Sequence, residues 1–303
     1  MGYGSYSTTS RSVRADSLGY HTKSARETFK SRSINSAMNP HNITPRESCD
    51  SPEHPNTVPI VLGLDVTGSM GSIPHFLVKN GLPHLVDTVI QAGIKDPQLL
   101  FLGIGDHECD DSPLQVGQFE SSDELLDKWL TDVWLEGGGG GNDGESYLLA
   151  WFLAAYYTKI DSFDKRGKKG FLFTIGDEPT LLEIQKDIPG SGYREQSVKD
   201  IMGKGQWGEL TADALLEKAR EKYNVFHLHI TETGSGSRQH VQDGWKQRMG
   251  DNCIIVNRKE DVAKIIAETV IKHTSQDTGY VVENKTTETI SVDEVGTVEE
   301  ILL

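Results

Sequence analysis

The sequence lacks any apolar run near the ~20 residues that a membrane-spanning helix requires, and its first residues lack the apolar core of a signal peptide. A cytoplasmic protein with no membrane partner is the expectation. Cysteine is scarce: Cys49, Cys109 and Cys253 are widely spaced with no paired motif. That excludes a disulfide scaffold and suits a reducing compartment. Met1-Gly2 invites N-myristoylation, but position 6 is Tyr where Ser or Thr is wanted. Basic charge is also short, with 30 Lys and Arg against 45 Asp and Glu, a formal net charge of −15. Such a deficit argues against a general nucleic-acid or anionic-membrane binder. It is uneven: residues 1–50 carry seven basic side chains against four acidic, and the remainder 23 against 41. No internal repeat is visible.

What is present centres on the stretch from Val58 to Met70. Val58-Pro59-Ile60-Val61-Leu62-Gly63-Leu64 is an apolar run of the kind buried on both faces in a parallel sheet. It stops at Asp65, with hydroxyls at Thr67 and Ser69 and glycines at Gly68 and Gly71. Ligand sites of open α/β sheets lie at the carboxyl ends of strands. One carboxylate and two hydroxyls spaced by two on a tight loop offer hard oxygens to one point, which suits Mg²⁺.

Asp65-Val66-Thr67-Gly68-Ser69 resembles the Asp-x-Ser-x-Ser opening of the metal-ion-dependent adhesion site of the von Willebrand factor type A family, with Thr in place of the first Ser. The resemblance covers about Pro59 to Lys272. It implies a doubly wound α/β fold, a mainly parallel six-stranded sheet with helices on both faces in a single domain, and a Mg²⁺ (or Mn²⁺) site. In that family a Gly-rich loop before a central helix brings a third metal contact, normally Thr. Here Asn142 or Asp143 follows the run Gly137–Gly141, and Asp143 would add negative charge. The family's fourth strand ends in an Asp that holds the metal through water, and Asp177 matches it.

Along the chain, residues 1–57 are rich in Ser, Thr, Arg, Asn and Pro without apolar periodicity, so a mostly disordered basic and polar arm is expected. Its Tyr3, Tyr6, Arg11, Arg14 and Tyr20 would suit an acidic partner. Residues 58–275 hold the alternating strands and helices. Ile73 to Ala92 reads as a helix with a kink or late start at Gly81 and Pro83, and Leu99 to Gly105 as a second buried strand. The loop Asp106-His107-Glu108-Cys109-Asp110-Asp111 supplies only one His and one Cys, short of a zinc site, and reads as a turn in which Asp106 could face the metal. Gly103-x-Gly105 is no dinucleotide fingerprint, and no Gly-Lys-Ser/Thr follows the glycine run to make a phosphate loop.

Tyr147 to Tyr157 is apolar around most of its circumference and reads as a buried helix. Gly170 to Gly176 is a further buried strand, after which Asp177 could also cap a helix over Thr180–Lys186. Polar, Gly-rich residues 188–210 read as an insertion on the metal-bearing rim. Thr211 caps the next helix, Val225 to Ile230 is a strand with His227 and His229 on one face, and Cys253 to Val256 is the last core strand. Residues 276–303 are an acidic tail or an edge strand.

The leading expectation is a protein-interaction module, not an enzyme, in which an Asp or Glu of a partner completes the metal shell. The resemblance to stand-alone bacterial or phage members adds a MoxR-class AAA+ ATPase as a partner. Two alternatives stand beside it. One is a haloacid-dehalogenase-like Mg²⁺ phosphatase using Asp65 and Gly176-Asp177, although its general acid would fall at position 67, which is Thr. The other is a structural or assembly subunit with a vestigial site.

Overall fold

In a computed structural model of the chain, residues 6–19, 22–137, 142–188 and 195–278 are described. The N-terminal segment carries α1 (Thr8–Leu18), α2 (Ala25–Thr28) and the short strand β1 (Arg46–Ser48). Then come β2 (Val58–Asp65), α3 (Ile73–Phe76), α4 (Leu82–Gln91), β3 (Pro97–Ile104), β4 (Leu114–Val116), α5 (Asp123–Asp132) and α6 (Leu148–Tyr156). The chain continues through β5 (Thr158–Ile160), α7 (Asp161–Asp164), β6 (Gly170–Gly176), α8 (Val198–Met202) and α9 (Ala212–Lys222). It closes with β7 (Tyr223–Ile230), α10 (Gln239–Met249), β8 (Cys253–Val256) and α11 (Val262–Thr278). Among the described residues no helix is long and apolar enough to cross a membrane.

Six strands form one sheet in the order β4-β3-β2-β6-β7-β8, parallel except for the antiparallel β3–β4 pair. β1 and β5 form a separate two-stranded parallel ribbon. Alternate residues of a strand point to opposite faces, and two apolar clusters divide accordingly. Val61, Leu100, Leu172 and Val225 pack with α6, α9 and α10, whereas Ile60, Leu62, Phe101, Phe173 and Leu228 pack with α4, α5 and α11. From β2 the chain builds outward to β3 on one side and to β6, β7 and β8 on the other. The carboxyl ends of β2 and β6 therefore flank the crevice at which the order reverses, the usual ligand position in open α/β sheets.

The break expected near Gly81 in the helix from Ile73 is present as a π-helical turn over Leu77–Gly81, after which α4 begins at Leu82. Other expectations need correction. No helix forms over Thr180–Lys186. Its backbone bonds outward instead, from Leu181 N–H to the Glu145 carbonyl (2.9 Å) and from Ala212 N–H to the Leu182 carbonyl (2.7 Å). Residues 276–278 end α11, and the acidic tail or edge strand expected beyond them lies outside the described residues, as do Gly138–Gly141 and 189–194 of the rim insertion.

The arm expected to be disordered is structured over its described part. The Ser7 hydroxyl accepts from Ser10 N–H to cap α1, and Gly19 closes the helix at φ 68°, a left-handed conformation that glycine adopts without strain. Arg11 Nε lies 3.1 Å from Asp127, and Arg14 bonds Asp123 and Asp127 at 2.5 and 3.2 Å. The acidic partner of this basic segment is thus α5 of the same chain, and Phe29 and Met38 enter the core behind it. Arg11 and Asp127 are both buried, so Arg11→Ala should cost about 1–3 kcal/mol by leaving a buried carboxylate oxygen short of a donor. Urea denaturation checks this; an unchanged midpoint would mean that α1 is not docked through the pair.

Candidate metal centre

β2 ends in Asp65, whose side chain is fully buried. The chain then turns through Thr67 into a short 3₁₀ turn over Gly68–Met70. The turn is anchored to the carboxylate itself: Thr67 N–H and the Thr67 hydroxyl both donate to Asp65 Oδ1, at 2.9 and 2.6 Å. The other oxygen, Oδ2, accepts from the Tyr147 hydroxyl at 2.6 Å. Across the crevice, Asp177 follows β6, and its Oδ1 accepts from the Ser69 hydroxyl at 2.8 Å. The Thr67 and Ser69 hydroxyls lie 3.3 Å apart. Two adjacent parallel strands thus each end in a buried Asp tied to a hydroxyl of one loop, and the exposed Ser69 opens the cluster to solvent.

Asp65, Thr67, Ser69 and Asp177 are therefore brought together as expected from their positions at strand ends. Asn142 and Asp143 are not. Asn142 is exposed and donates to Glu108 at 2.8 Å, and the Asp143 carboxylate is 90% exposed, 3.6 Å from Arg238. A run of glycines sets no register for the residues after it, so spacing alone could not place this loop. The residue that the loop brings to the crevice is Glu145, which is buried and whose N–H and carbonyl bond Pro179 and Leu181 of the loop after β6 (both 2.9 Å). The signal available in the sequence was an acid directly before an all-apolar helix, where only a partnered carboxylate is tolerated.

Burial dominates the electrostatics. It pushes Asp65 up to about 7, with the Asp177 charge adding to the effect and the Thr67 and Tyr147 hydrogen bonds opposing it. Burial pushes Glu145 up to about 10, reinforced by Asp65, Asp106 and Asp110. Among the described residues, Asp177 Oδ2 and Glu145 Oε2 are buried without hydrogen-bond partners, a costly state for carboxylate oxygens. Among the described residues no group of three or more His, Cys, Asp or Glu side chains is placed to hold a metal ion. Any ion here must be held with the hydroxyls. An all-oxygen set of hydroxyls backed by carboxylates, two of them with orphaned oxygens, fits a hard divalent cation.

The neighbouring acid loop is a self-bonded turn. Asp106 accepts from Glu108 N–H (2.8 Å) and Cys109 Sγ (2.6 Å), and Asp106 N–H donates to Asp110 (2.9 Å). The two strand histidines are core side chains. His227 Nδ1 contacts the Thr174 hydroxyl at 2.9 Å and stacks on Trp245, while His229 Nε2 meets the Gly236 carbonyl at 2.9 Å. Burial lowers both their pKa values, which favours neutral rings.

The architecture is that of an α/β protein with an acid–hydroxyl cluster at a strand-order switch point. No known family profile matches the chain, and no curated protein matches it. Solved structures do. The pilus adhesin SpaC from Lactobacillus rhamnosus GG is 14% identical, with a TM-score of 0.47, over 76% of this chain and 32% of its own. The vWF domain of the type V pili tip protein Mfa5 from Porphyromonas gingivalis is 8% identical, with a TM-score of 0.46, over 73% of this chain and 96% of its own. Proximal thread matrix protein 1 from the mussel byssus, with a zinc-occupied MIDAS motif, is 14% identical, with a TM-score of 0.42, over 74% of this chain and 48% of its own. The chain thus spans about a third of the first protein and about half of the third. At such identities the likeness is one of chain path and assigns no chemistry to these residues.

Proposed function

We propose that the chain is a divalent-cation-dependent protein-interaction module of the von Willebrand A type, a single doubly wound domain acting without catalysis in the cytoplasm. The observation that carries this reading is the crossed pairing at the crevice, Thr67 on Asp65 and Ser69 on Asp177. Asp65, Thr67, Ser69 and Asp177 would hold Mg²⁺ or Mn²⁺. When bound, the ion supplies an electrophilic centre for an acidic side chain of a partner protein. A MoxR-class AAA+ ATPase is the partner that the family resemblance suggests. The chain's own part is positional: the buried carboxylates orient the two hydroxyls, and Tyr147 fixes the carboxylate of Asp65. The phosphatase alternative is disfavoured because Asp65 is buried with both oxygens already bonded, a poor state for a nucleophile.

Cation binding to the folded chain should raise its stability by mass action, by about 2.7 kcal/mol when the free ion is at ~100 times its Kd. Differential scanning calorimetry of EDTA-stripped protein with added Mg²⁺ or Mn²⁺ measures this. No shift at millimolar ion would end the reading.

A further inference from the structure

At the edge of the sheet opposite the acid–hydroxyl cluster, the amino ends of β2, β6 and β7 line a cavity of about 550 Å³. The strands start side by side there, with Phe171 in register with Ile60 of β2 on one side and with Asn224 of β7 on the other. α11 packs over this end, its His273 ring edge-on to Phe171 at a centroid distance of 6.3 Å. Val58, Pro59 and Phe171 supply the apolar part of the lining. A cavity of this size, apolar with a few placed polar groups, has the dimensions of a small-molecule site. The polar part comes from the turn between α7 and β6. Gly167 takes a φ of 65°, which glycine adopts without strain, and the chain doubles back so that Lys168 N–H donates to the Ser162 carbonyl (2.7 Å). Ser162, Arg166, Lys168 and Lys169 all line the cavity as a result.

The charge there runs against that of the chain. Three basic side chains and no acidic one line the cavity among the described residues, in a protein of formal net charge −15. Arg166 is held by Asp50 and by the Thr57 carbonyl (2.7 Å). Lys169 Nζ donates to a neutral acceptor, the Arg220 carbonyl (2.6 Å), and among the described residues no acid pairs with it. Ser162 is 3% exposed, and its buried hydroxyl meets no hydrogen-bond partner among the described residues. An unpartnered buried hydroxyl is costly, and a ligand oxygen would restore its bond. We propose that this cavity binds a small organic anion with an aromatic body. The lysines of the turn hold the charged group, the Ser162 hydroxyl donates to it, and Pro59 and Phe171 pack against the ring. The site lies ~23 Å from Asp65 along β2 and stands whether or not a cation binds there.

The test is a fluorescence titration of the full chain in EDTA with anilinonaphthalene sulfonate, an aromatic anion, and with its uncharged analogue phenylnaphthylamine. Lys168 and Lys169 are exposed, so the double variant Lys168→Glu/Lys169→Glu and the milder Lys169→Gln retain the fold, which circular dichroism checks. Wild type is expected to bind the sulfonate saturably and the neutral analogue at least tenfold more weakly. The double variant should bind the sulfonate at least tenfold more weakly than wild type, and Lys169→Gln and Ser162→Ala about threefold more weakly. Lys204→Glu changes the net charge at an exposed position on the rim insertion and should leave the affinity within about twofold. Absence of saturable binding to wild type, equal affinity for the neutral analogue, equal affinity in wild type and the double variant, or an equal loss in Lys204→Glu would each overturn the site.

Discussion

Gly176→Ala is expected to destabilise the protein by about 3–5 kcal/mol, combining overpacking with a lost buried hydrogen bond. A Cβ at this position would lie 1.8 Å from the Tyr147 hydroxyl oxygen and 2.5 and 2.6 Å from the ring atoms Cζ and Cε1. The ring has little room to retreat. His227 and Trp245 meet it edge to face with centroids at 5.3 and 5.5 Å, and those two rings are themselves stacked. A movement of the ring that relieves the clash lifts the hydroxyl from Asp65 Oδ2, which has no other hydrogen-bond donor among the described residues. Urea denaturation gives the size of the effect. A double-mutant cycle gives its cause: Tyr147→Ala in the Gly176→Ala background should recover at least ~1 kcal/mol of non-additive energy. Tyr147→Phe should not, because the ring carbons collide as well. Additive losses would mean that Gly176 matters for some reason other than making room for Tyr147.

Asp65→Asn should separate the two roles of its carboxylate, with effects of opposite sign. Without added cation, the wild-type side chain is ionised above its folded pKa of about 7, whereas in the unfolded chain it is ionised above about 4. Because the folded value is raised, its destabilising contribution is absent below about pH 4, grows as pH rises, and is complete above about pH 7. The metal-free Asn variant is therefore expected to be more stable than wild type by a few kcal/mol at pH 8. That advantage should shrink towards nothing near pH 4. With Mg²⁺ or Mn²⁺ the order reverses in response: wild type gains stability and the variant gains almost none. Denaturation curves at several pH values, with and without Mg²⁺, measure both effects. An equal Mg²⁺ shift in the two proteins would remove Asp65 from the centre, and a pH-independent difference would mean that its burial does not control its charge.

The sheet was largely readable because its strands are of one kind. β2, β3, β6 and β7 are buried along most or all of their length, and continuous apolar runs broken by polar turns signal that directly. α6 was readable for the same reason, since all eight residues from Leu148 to Ala155 are buried. Short elements were not. β4 has three residues and is held by its pairing with β3. β1 and β5 depend on one another across more than a hundred residues of chain, and nothing in three residues announces a partner so distant. α1 has few apolar side chains, and its stability comes from two arginines whose partners, Asp123 and Asp127, lie on another helix.

The residue pattern alone dictated the alternation of buried strands with helices, and with it a mainly parallel sheet. It also determined that Asp65, Thr67, Ser69 and Asp177 would stand near strand ends, because an apolar run that stops at an acid can only emerge at the sheet's edge. Tertiary structure decided which other oxygens join them. Glu145 reaches the crevice through backbone bonds to the loops after β3 and β6, while Asn142 and Asp143, nearer the glycine run, turn to Glu108 and Arg238. The reason is physical. Side-chain pattern reports which residues must leave water, but the path of a glycine-rich loop carries no such pattern and is set by where its flanking backbone finds hydrogen bonds.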